Sequence, residues 1–443
     1  MRGRLPPPCT DQLAESGFRV VSVLIKRVYY THHAKEQEMT NPIASPNHNP
    51  RRSILAVPTL ALFACGGDTT PIADTVVEDS AGIRIVQYTG APDAEPLFSF
   101  APEPLYRHGN TPDDYTFARI WRGILLGDGS AAIFDGGTSE VVRLNPDGTF
   151  HSVLAPAGEG PGEVSRLVTS MFRVGQDSIV VLDLGQTRSS LFVNGSLAHT
   201  TSILDLRRAT SLWPEGVGDA GSFLVATSSF LPGFEEEWLF GHMARYDPET
   251  GAVDTVASYQ FAPGESNPSP GIGAVFVSGG QFVYVRTDIP EVVWHLADGT
   301  VRQIARWQLE PRYLTEEDLE AIEPILRDRI RFVNPGASEE VVESSTRRSM
   351  ARYEADLSNP VEHFKSPFAD AEGRVWLPTS MPGVPGEGIS PYTVISRDGE
   401  WLGMVDAPPG LRILDVGWGR VLGIMTDEMG VESVAVYELV EAN

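Results

Sequence analysis

A chain of 443 residues, 42% of them hydrophobic, is long enough to bury several cores or one large repeat fold. The formal net charge of -25 argues against nucleic acids and anionic lipid headgroups as partners, because the protein would repel both. Two cysteines, Cys9 and Cys65, are too few for a disulfide framework or a thiolate metal site.

An export signal lies ahead of Cys65. Arg51 and Arg52 supply a basic start, and residues 53–64 (SILAVPTLALFA) form an apolar run that is too short for a membrane span of about 20 residues. Residues 62–65 (LFAC) resemble a lipobox, which implies cleavage before Cys65 and lipidation of its thiol. Acyl chains would then hold the protein at a membrane of the cell envelope without spanning it. A buried helix or an ordinary signal peptide is the alternative.

The signal divides the chain into four predicted parts. They are a disordered upstream extension, a signal peptide, a flexible tether and a folded domain, over residues 1–38, 39–64, 65–78 and 79–443. Translation could begin at Met1 or at Met39. A start at Met39 places the double arginine and the apolar run where a signal peptide carries them.

A repeated β-unit runs through the folded part. Its clearest copy, residues 131–154, contains the strands AAIF, VVRL and TFHSVL, with the turn NPDG between the last two. An Asn-Gly or Asp-Gly pair between apolar runs indicates a hairpin in which both turn residues have positive φ. Five further copies begin near 179, 222, 282, 374 and 420. Each follows an apolar stretch that supplies an innermost strand, such as 117–121, 274–277 and 412–416. Six units of four short strands predict an all-β fold, a six-bladed β-propeller.

The ring of blades needs a closing strand, because the last copy ends at its third strand. Gly82–Tyr88 (GIRIVQY) is an unassigned strand ahead of the first copy. We expect this N-terminal strand to complete the sixth blade, with Ile83–Gln87 beside Val434–Tyr437, since this leaves no open edge between the first and last blades.

The first copy, GDGSAAIFDGGTSEVVRLNPDGTF, is similar to the NHL-type repeat. Residues 79–86 (DSAGIRIV) and 158–163 (GEGPGE) resemble segments of exported six-bladed propeller lipoproteins, NHL-like or TolB-like, of uncharacterised function. The resemblance covers about residues 79–440. It implies the fold and a place in the cell envelope, but it says almost nothing about activity.

An insertion over residues 313–358 separates the fourth and fifth copies. Thr315–Asp318 (TEED) resembles a helix start, and apolar residues recur at helical spacing as far as Val333, with Pro324 expected to kink or split the helix. A second helix is expected from Ser338 to about Asp356. Seven arginines lie within the insertion or directly before it: Arg312, Arg327, Arg329, Arg331, Arg347, Arg348 and Arg352.

These arginines have two interpretations. Arg327 and Arg331 are candidates for binding an anionic ligand if the helices lie over one mouth of the channel, because planar guanidinium groups suit anions. The alternative is that the arginines form ion pairs with glutamates four residues away, as at Glu323 and Arg327, and merely solubilise the helices.

Equivalent polar residues follow the second strand of the units. The candidate ligand-binding residues among them are Asp135, Asp183, Thr227, Thr287 and Thr426, with Asp288 and Asp427 one residue beyond two of the threonines. A ring of carboxylates and hydroxyls could hold a calcium ion or a sugar. The alternative is that each residue caps a tight turn by binding nearby backbone N–H groups.

No local motif indicates catalysis. The histidines that follow Cys65 are scattered without a zinc-binding spacing, and no G-x-S-x-G nucleophile elbow occurs. We therefore expect a surface-tethered binding or interaction module without a cofactor, whose partner is a small molecule, glycan, peptide or protein. The alternative is a metal-dependent hydrolase or lyase of the lactonase-like propeller type. In that type, separate blades supply the ligands of an axial Ca²⁺ or Zn²⁺.

Overall fold

The computed structural model describes most of the chain that follows residue 74. The described residues are 75–90, 96–111, 114–203, 212–218, 221–228, 238–263, 273–333, 336–355, 357, 361–380, 389–427 and 429–441. The predicted signal peptide and Cys65 lie outside them. Strand β1 begins at Thr75, inside the segment expected to form the tether.

Six antiparallel blades form the propeller, and four short strands precede them. These are β1 (Thr75–Ser80), β2 (Ile83–Tyr88), β3 (Phe98–Phe100) and β4 (Tyr106–His108). Blade one contains β5 (Ile120–Leu125), β6 (Ala131–Asp135), β7 (Glu140–Leu144) and β8 (Phe150–Ala155). Blade two contains β9 (Val168–Val174), β10 (Ser178–Asp183), β11 (Arg188–Val193) and β12 (Ser196–Ser202). Blade three contains β13 (Leu212–Val217), β14 (Phe223–Ser228), β15 (Trp238–Tyr246) and β16 (Val253–Pro263).

The remaining blades follow the same order, with the innermost strand first. Blade four contains β17 (Gly273–Ser278), β18 (Gln281–Arg286), β19 (Glu291–His295) and β20 (Val301–Arg306). Helices α1 (Glu316–Val333) and α2 (Glu339–Ala355) come next. Blade five contains β21 (Phe368–Ala369), β22 (Val375–Thr379), β23 (Ile389–Ile395) and β24 (Trp401–Val405), and blade six contains β25 (Arg412–Gly417), β26 (Arg420–Thr426) and β27 (Glu432–Glu441). The predicted six-bladed propeller is confirmed.

The core lies between the blades. Each of the six interfaces between neighbouring blades holds a buried hydrophobic cluster, including the one between blade six and blade one, where Leu422 and Val434 pack with Ile133. The second strand of a blade supplies residues to the clusters on both sides, because its alternate side chains point to opposite faces of the sheet. The ring is therefore closed by packing as well as by hydrogen bonds.

A different strand from the expected one completes blade six. Gly82–Tyr88 was predicted to lie beside Val434–Tyr437, and this prediction is wrong. Val434–Val436 of β27 pairs with β4, and Leu439–Glu441 of the same strand pairs with β3. An N-terminal segment does close the ring, but it is made of two three-residue strands, which are too short to show a period-2 pattern.

Strand β2 instead extends blade four. It pairs in parallel with β20, and β1 pairs with its other edge, so this sheet has six strands. The hairpin also reaches blade five, where the Trp401 N–H donates to Tyr88 Oη over 2.7 Å. It thus joins the outer edges of the two blades between which the chain leaves the ring to form the helices.

The hairpin turns agree only in part with the expected backbone geometry. At Asn194-Gly195 both residues have positive φ, +49° and +75°. At Asp147-Gly148, Asp298-Gly299 and Asp398-Gly399, only the glycine does. In these three turns the aspartate lies in an ordinary region, and the left-handed conformation falls on the residue that tolerates it best. Of the predicted innermost strands, 274–277 and 412–416 lie within β17 and β25, whereas 117–121 is placed too early, since β5 begins at Ile120.

The two helices of the insertion begin where the sequence indicates. Thr315 and Asp318 cap α1 reciprocally, with Thr315 N–H donating to Asp318 Oδ2 over 2.9 Å and Asp318 N–H donating to Thr315 Oγ1 over 3.1 Å. Helix α1 continues as one helix through Pro324, so the predicted split does not occur. Neither described helix is both long enough and apolar enough to cross a bilayer.

Candidate functional site

The innermost strands of the six blades enclose a channel that contains two adjoining cavities. The mouth cavity, of about 350 Å³, lies near the face where the innermost strands begin, which we call the mouth face. It is lined by Trp121, Arg122, Leu167, Val168, Thr169, Ser170, Pro214 and Glu215. The inner cavity, of about 590 Å³, is bordered by residues of all six blades, among them Arg173, Val277, Asp370 and Asp415. Arg122 and Glu215 border both cavities.

β-Bulges interrupt four of the innermost strands. In β5, β9, β13 and β25 the pairing register skips one residue: Trp121, Thr169, Glu215 and Leu414, respectively. A bulge breaks the alternation of side chains and re-aims the extra one. Trp121, Thr169 and Glu215 all border the mouth cavity, and Leu414 borders the inner one. Blades one, two and three therefore each place a bulged residue at the border of one cavity.

Apolar surface forms the rim of the mouth cavity. The Trp121 indole is 39% exposed, and Leu167 is 54% exposed. The indole packs edge-on against Phe134, with ring centroids 6.2 Å apart, and lies so close to Gly136 that a Cβ there would come within 2.6 Å of it. Neighbouring residues thus hold the ring in place and leave part of it free to contact a ligand.

Arg122 is a cation that no described carboxylate neutralises. Its Nε donates to the Thr169 carbonyl over 3.3 Å, and its Nη1 donates to the Trp121 carbonyl over 3.1 Å. Within the described residues it forms no ion pair with a carboxylate, and Nη2 donates to no protein atom. Arg122 is exposed to the channel, and partial desolvation, followed by the nearby charge of Arg412, lowers its pKa. The side chain is anchored by two carbonyls, and it has further donors without a partner among the described residues.

Glu215 is a channel carboxyl that pairs with no cation in the described part of the chain. No hydrogen bond or ion pair joins its side chain to the described residues. Burial raises the pKa of Glu215 to about 8, so that the neutral acid is the main form at pH 7. The charge of Glu215 in turn adds to burial in raising the pKa of Tyr259. A carboxyl that is neutral at pH 7 can donate a hydrogen bond as well as accept one.

The other ionisable groups of the inner cavity are compensated. Arg173 pairs with Asp415, whose carboxylate also accepts the Leu125 N–H over 2.7 Å. Asp370 accepts hydrogen bonds from Arg374 Nε over 2.5 Å and from Trp376 Nε1 over 2.8 Å. Burial raises the pKa values of both aspartates, and the neighbouring arginines oppose this rise.

Asp135 and Asp183 are buried at the mouth-face ends of β6 and β10. Asp135 accepts the N–H groups of Ala118, Arg119 and Gly137 over 2.7 to 2.8 Å. Asp183 accepts the Ser165 N–H and hydroxyl, each over 2.6 Å. Both carboxylates thus join the loop that leads into the innermost strand to the second strand of the same blade. This is the capping geometry that the sequence left open as the alternative to ligand binding.

The other residues of the predicted ring have separate environments. The Thr287 hydroxyl is buried without a described hydrogen-bond partner, and Asp288 forms a two-point ion pair with Arg286. Thr426 is exposed, and Asp427 accepts the N–H groups of two residues in its own turn. Thr227 belongs to β14, but its side chain lies outside the described part. None of these residues borders either cavity, and a binding role for them stays a prediction.

The two helix arginines singled out from the sequence are both paired. Arg327 lies 2.9 Å from Glu323, as the i,i+4 spacing indicates, and 3.7 Å from Glu339. Arg331 contacts Asp328 and Glu339. Their charges are therefore balanced within the insertion, and neither borders the two cavities.

The sequence did not single out Arg122 or Glu215. Each is a charged residue inside a short apolar stretch that becomes an innermost strand, and this is the signal that could have found them. An alternating pattern of apolar and polar residues does not indicate where a bulge will interrupt a strand. Over the described ranges, no three His, Cys, Asp or Glu side chains gather where they could hold a metal ion. A Ca²⁺ site therefore stays a prediction.

Comparison with known proteins yields structural likeness alone. No family model matches the chain, and no curated protein does. A solved protein assigned as exported, from Bacteroides fragilis, is 12% identical with a TM-score of 0.46, over 81% of this chain and 100% of that one. A member of the DUF4221 family from Bacteroides vulgatus is 10% identical with a TM-score of 0.38, over 84% and 100%. The calcium-binding protein regucalcin from Agrobacterium tumefaciens is 11% identical with a TM-score of 0.35, over 79% and 98%. At these identities and TM-scores, the likeness does not bear on function.

Proposed function

We propose that this protein is an exported binding module that takes a small organic molecule into the mouth cavity. One observation carries the proposal: three consecutive blades each place a bulged residue, Trp121, Thr169 or Glu215, at the border of the same cavity. Bulges disrupt the strand ladder, and they are over-represented beside active sites. A cavity of about 350 Å³ falls in the range of small-molecule sites and is too small for a folded partner.

A thermal-shift screen tests this proposal. The purified protein is heated with a collection of anionic, cationic and neutral compounds, and binders are those that raise its melting temperature. Thr169→Trp should abolish the shifts, because the larger side chain fills the cavity, and Trp121→Ala should weaken them. Thr255→Trp, at an exposed position of the outermost strand of blade three, should leave them unchanged. If no compound stabilises the protein in a Thr169-dependent way, the proposal is wrong.

The envelope location is a second part of the proposal, and it rests on Cys65 and the apolar run ahead of it. In bacterial cells fed a radioactive fatty acid, the protein should become labelled and should fractionate with membranes. Cys65→Ser should lose the label, and Cys9→Ser should keep it. Label that persists in Cys65→Ser would contradict lipidation at this residue.

No described feature favours the metal-dependent hydrolase or lyase over the binding module. The same thermal-shift measurement tests it directly. Chelator-treated protein is heated with and without Ca²⁺ or Zn²⁺, after elemental analysis of the untreated protein. A tightly held divalent ion that stabilises the fold would favour the enzyme, whereas its absence from both measurements would favour binding alone.

A further inference from the structure

We infer that the ligand of the mouth cavity is an organic anion with a flat apolar part, its anionic group held by Arg122 and its flat part by Trp121. This inference rests on the proposed function and deepens it by naming the class of ligand.

The charge balance of the channel supports an anion. The inner cavity has two further acids, Asp370 and Asp415, and each is neutralised by an arginine. Among the described residues that line the mouth cavity, the ionisable side chains are those of Arg122 and Glu215. Burial raises the pKa of Glu215 to about 8, and no described carboxylate pairs with Arg122, so this solvent-accessible cation has no counter-charge among the described residues. An anionic ligand would supply that counter-charge.

The position of the guanidinium also suits an anion. Two backbone carbonyls fix Arg122 through Nε and Nη1, so less side-chain entropy remains to be lost on binding. The donors that remain, on Nη1 and Nη2, match the two oxygens of a carboxylate, and such charge-assisted pairs are among the stronger hydrogen bonds in proteins. The nearby charge of Arg412 makes the surroundings more positive.

Glu215 would act as a hydrogen-bond donor toward the same group. An ionised carboxylate beside the ligand would repel an anion, but a protonated one donates its O–H to an oxygen of the ligand. Glu215 occupies the bulge in β13 and borders the same cavity as Arg122. The partly exposed faces of Trp121 and Leu167 form an apolar rim beside both groups. A ligand with a ring next to its anionic group would therefore contact polar and apolar surfaces together.

The net charge of -25 repels an anionic ligand only weakly once the ligand is inside the channel. Exposed charges are screened within a Debye length of about 8 Å at physiological ionic strength, so distant surface carboxylates act weakly on a ligand inside the channel. The local cation decides the preference.

Matched pairs of compounds test the inference. Phenylacetate, its neutral amide phenylacetamide and the cation phenethylamine are titrated into the purified protein at pH 6.5, with binding followed by calorimetry. We expect phenylacetate to bind at least tenfold more tightly than phenylacetamide, which corresponds to about 1.4 kcal/mol.

Substitutions at Arg122 identify the group responsible. Arg122→Gln should bind phenylacetate no better than phenylacetamide, and Arg122→Lys should recover part of the difference, because it restores the charge without the planar fork. Arg245→Gln, at an exposed arginine of blade three that pairs with Asp254, is the matched control and should behave as wild type. Unchanged melting temperatures without ligand confirm that the variants fold.

The outcomes separate this inference from the proposed function. If the amide or the amine binds as tightly as the acid, or if Arg122→Gln binds the acid as wild type does, the inference is overturned and the proposed function stands. If no compound of any charge in the screen binds in a Thr169-dependent way, both are overturned.

Discussion

Replacing Glu215 by glutamine should stabilise the protein at neutral pH. The amide has nearly the shape of the protonated carboxyl and can occupy the same place, but it never ionises. In the folded protein, burial raises the pKa of Glu215 from 4.5 to about 8. In the unfolded chain the pKa returns to its ordinary value.

The sign and size of the effect follow from linkage. Below pH 4.5 the carboxyl is protonated in both states, so Glu215 contributes no penalty to the folded state. As pH rises from about 4.5 to about 8, the unfolded state gains stability by releasing a proton that the folded state retains. Each pH unit is worth about 1.36 kcal/mol, so the penalty that Glu215→Gln removes at pH 7 is on the order of 3 kcal/mol.

Urea denaturation at pH 4.5 and pH 7 measures this effect. The free energy of unfolding of Glu215→Gln should exceed that of wild type by on the order of 3 kcal/mol at pH 7, and the two should nearly coincide at pH 4.5. Glu323→Gln, on the exposed face of α1, should show no comparable gain at either pH. A gain that is the same at both pH values, or a loss at pH 7, would refute the assignment of Glu215 as a buried neutral acid.

Three further substitutions test the supports of the channel and the ring. Gly136→Ala should displace the indole of the mouth cavity and reduce ligand binding at least severalfold, because the new Cβ would come within 2.6 Å of it; Gly90→Ala, with open space around it, should not. Asp135→Ala should lower the free energy of unfolding by about 3 to 5 kcal/mol, since three backbone N–H groups lose their acceptor, whereas Asp298→Ala, in an exposed turn, should cost much less. Tyr88→Phe should cost about 1 to 2 kcal/mol by removing the hydrogen bond between the N-terminal hairpin and blade five, and an unchanged denaturation midpoint would show that this contact does not stabilise the ring.

Much of the propeller could be predicted because its second strands carry a local signal. Residues such as Ala131–Asp135 and Arg420–Thr426 are apolar runs next to turns rich in glycine, asparagine or aspartate, and the predicted copies begin within about one residue of these strands. The closing strand could not be predicted in this way. Residues 83–88 form a strand, as their alternation indicates, but alternation does not specify which open edge the strand will occupy.

The site was missed for a related reason. Prediction from periodicity assumes that side chains alternate regularly along a strand. Glu215 occupies a bulge and Arg122 follows one, so neither fits that assumption. Asp135 and Asp183 attracted attention because they recur at equivalent places, yet their hydrogen bonds are to their own blades. Arg122 and Glu215 recur nowhere, because each blade contributes a different side chain to the channel. The features that recur in every unit predict a repeat fold, but the candidate site is formed by residues that differ from one unit to the next.

A crystal structure of the protein with its tightest-binding compound tests the central claim most directly. We expect the compound in the mouth cavity, with its anionic group within hydrogen-bonding distance of Arg122 and Glu215 and its ring against Trp121. A compound bound at the opposite face of the ring, among the helices, or on the outer strands would contradict the assignment of the channel as the binding site.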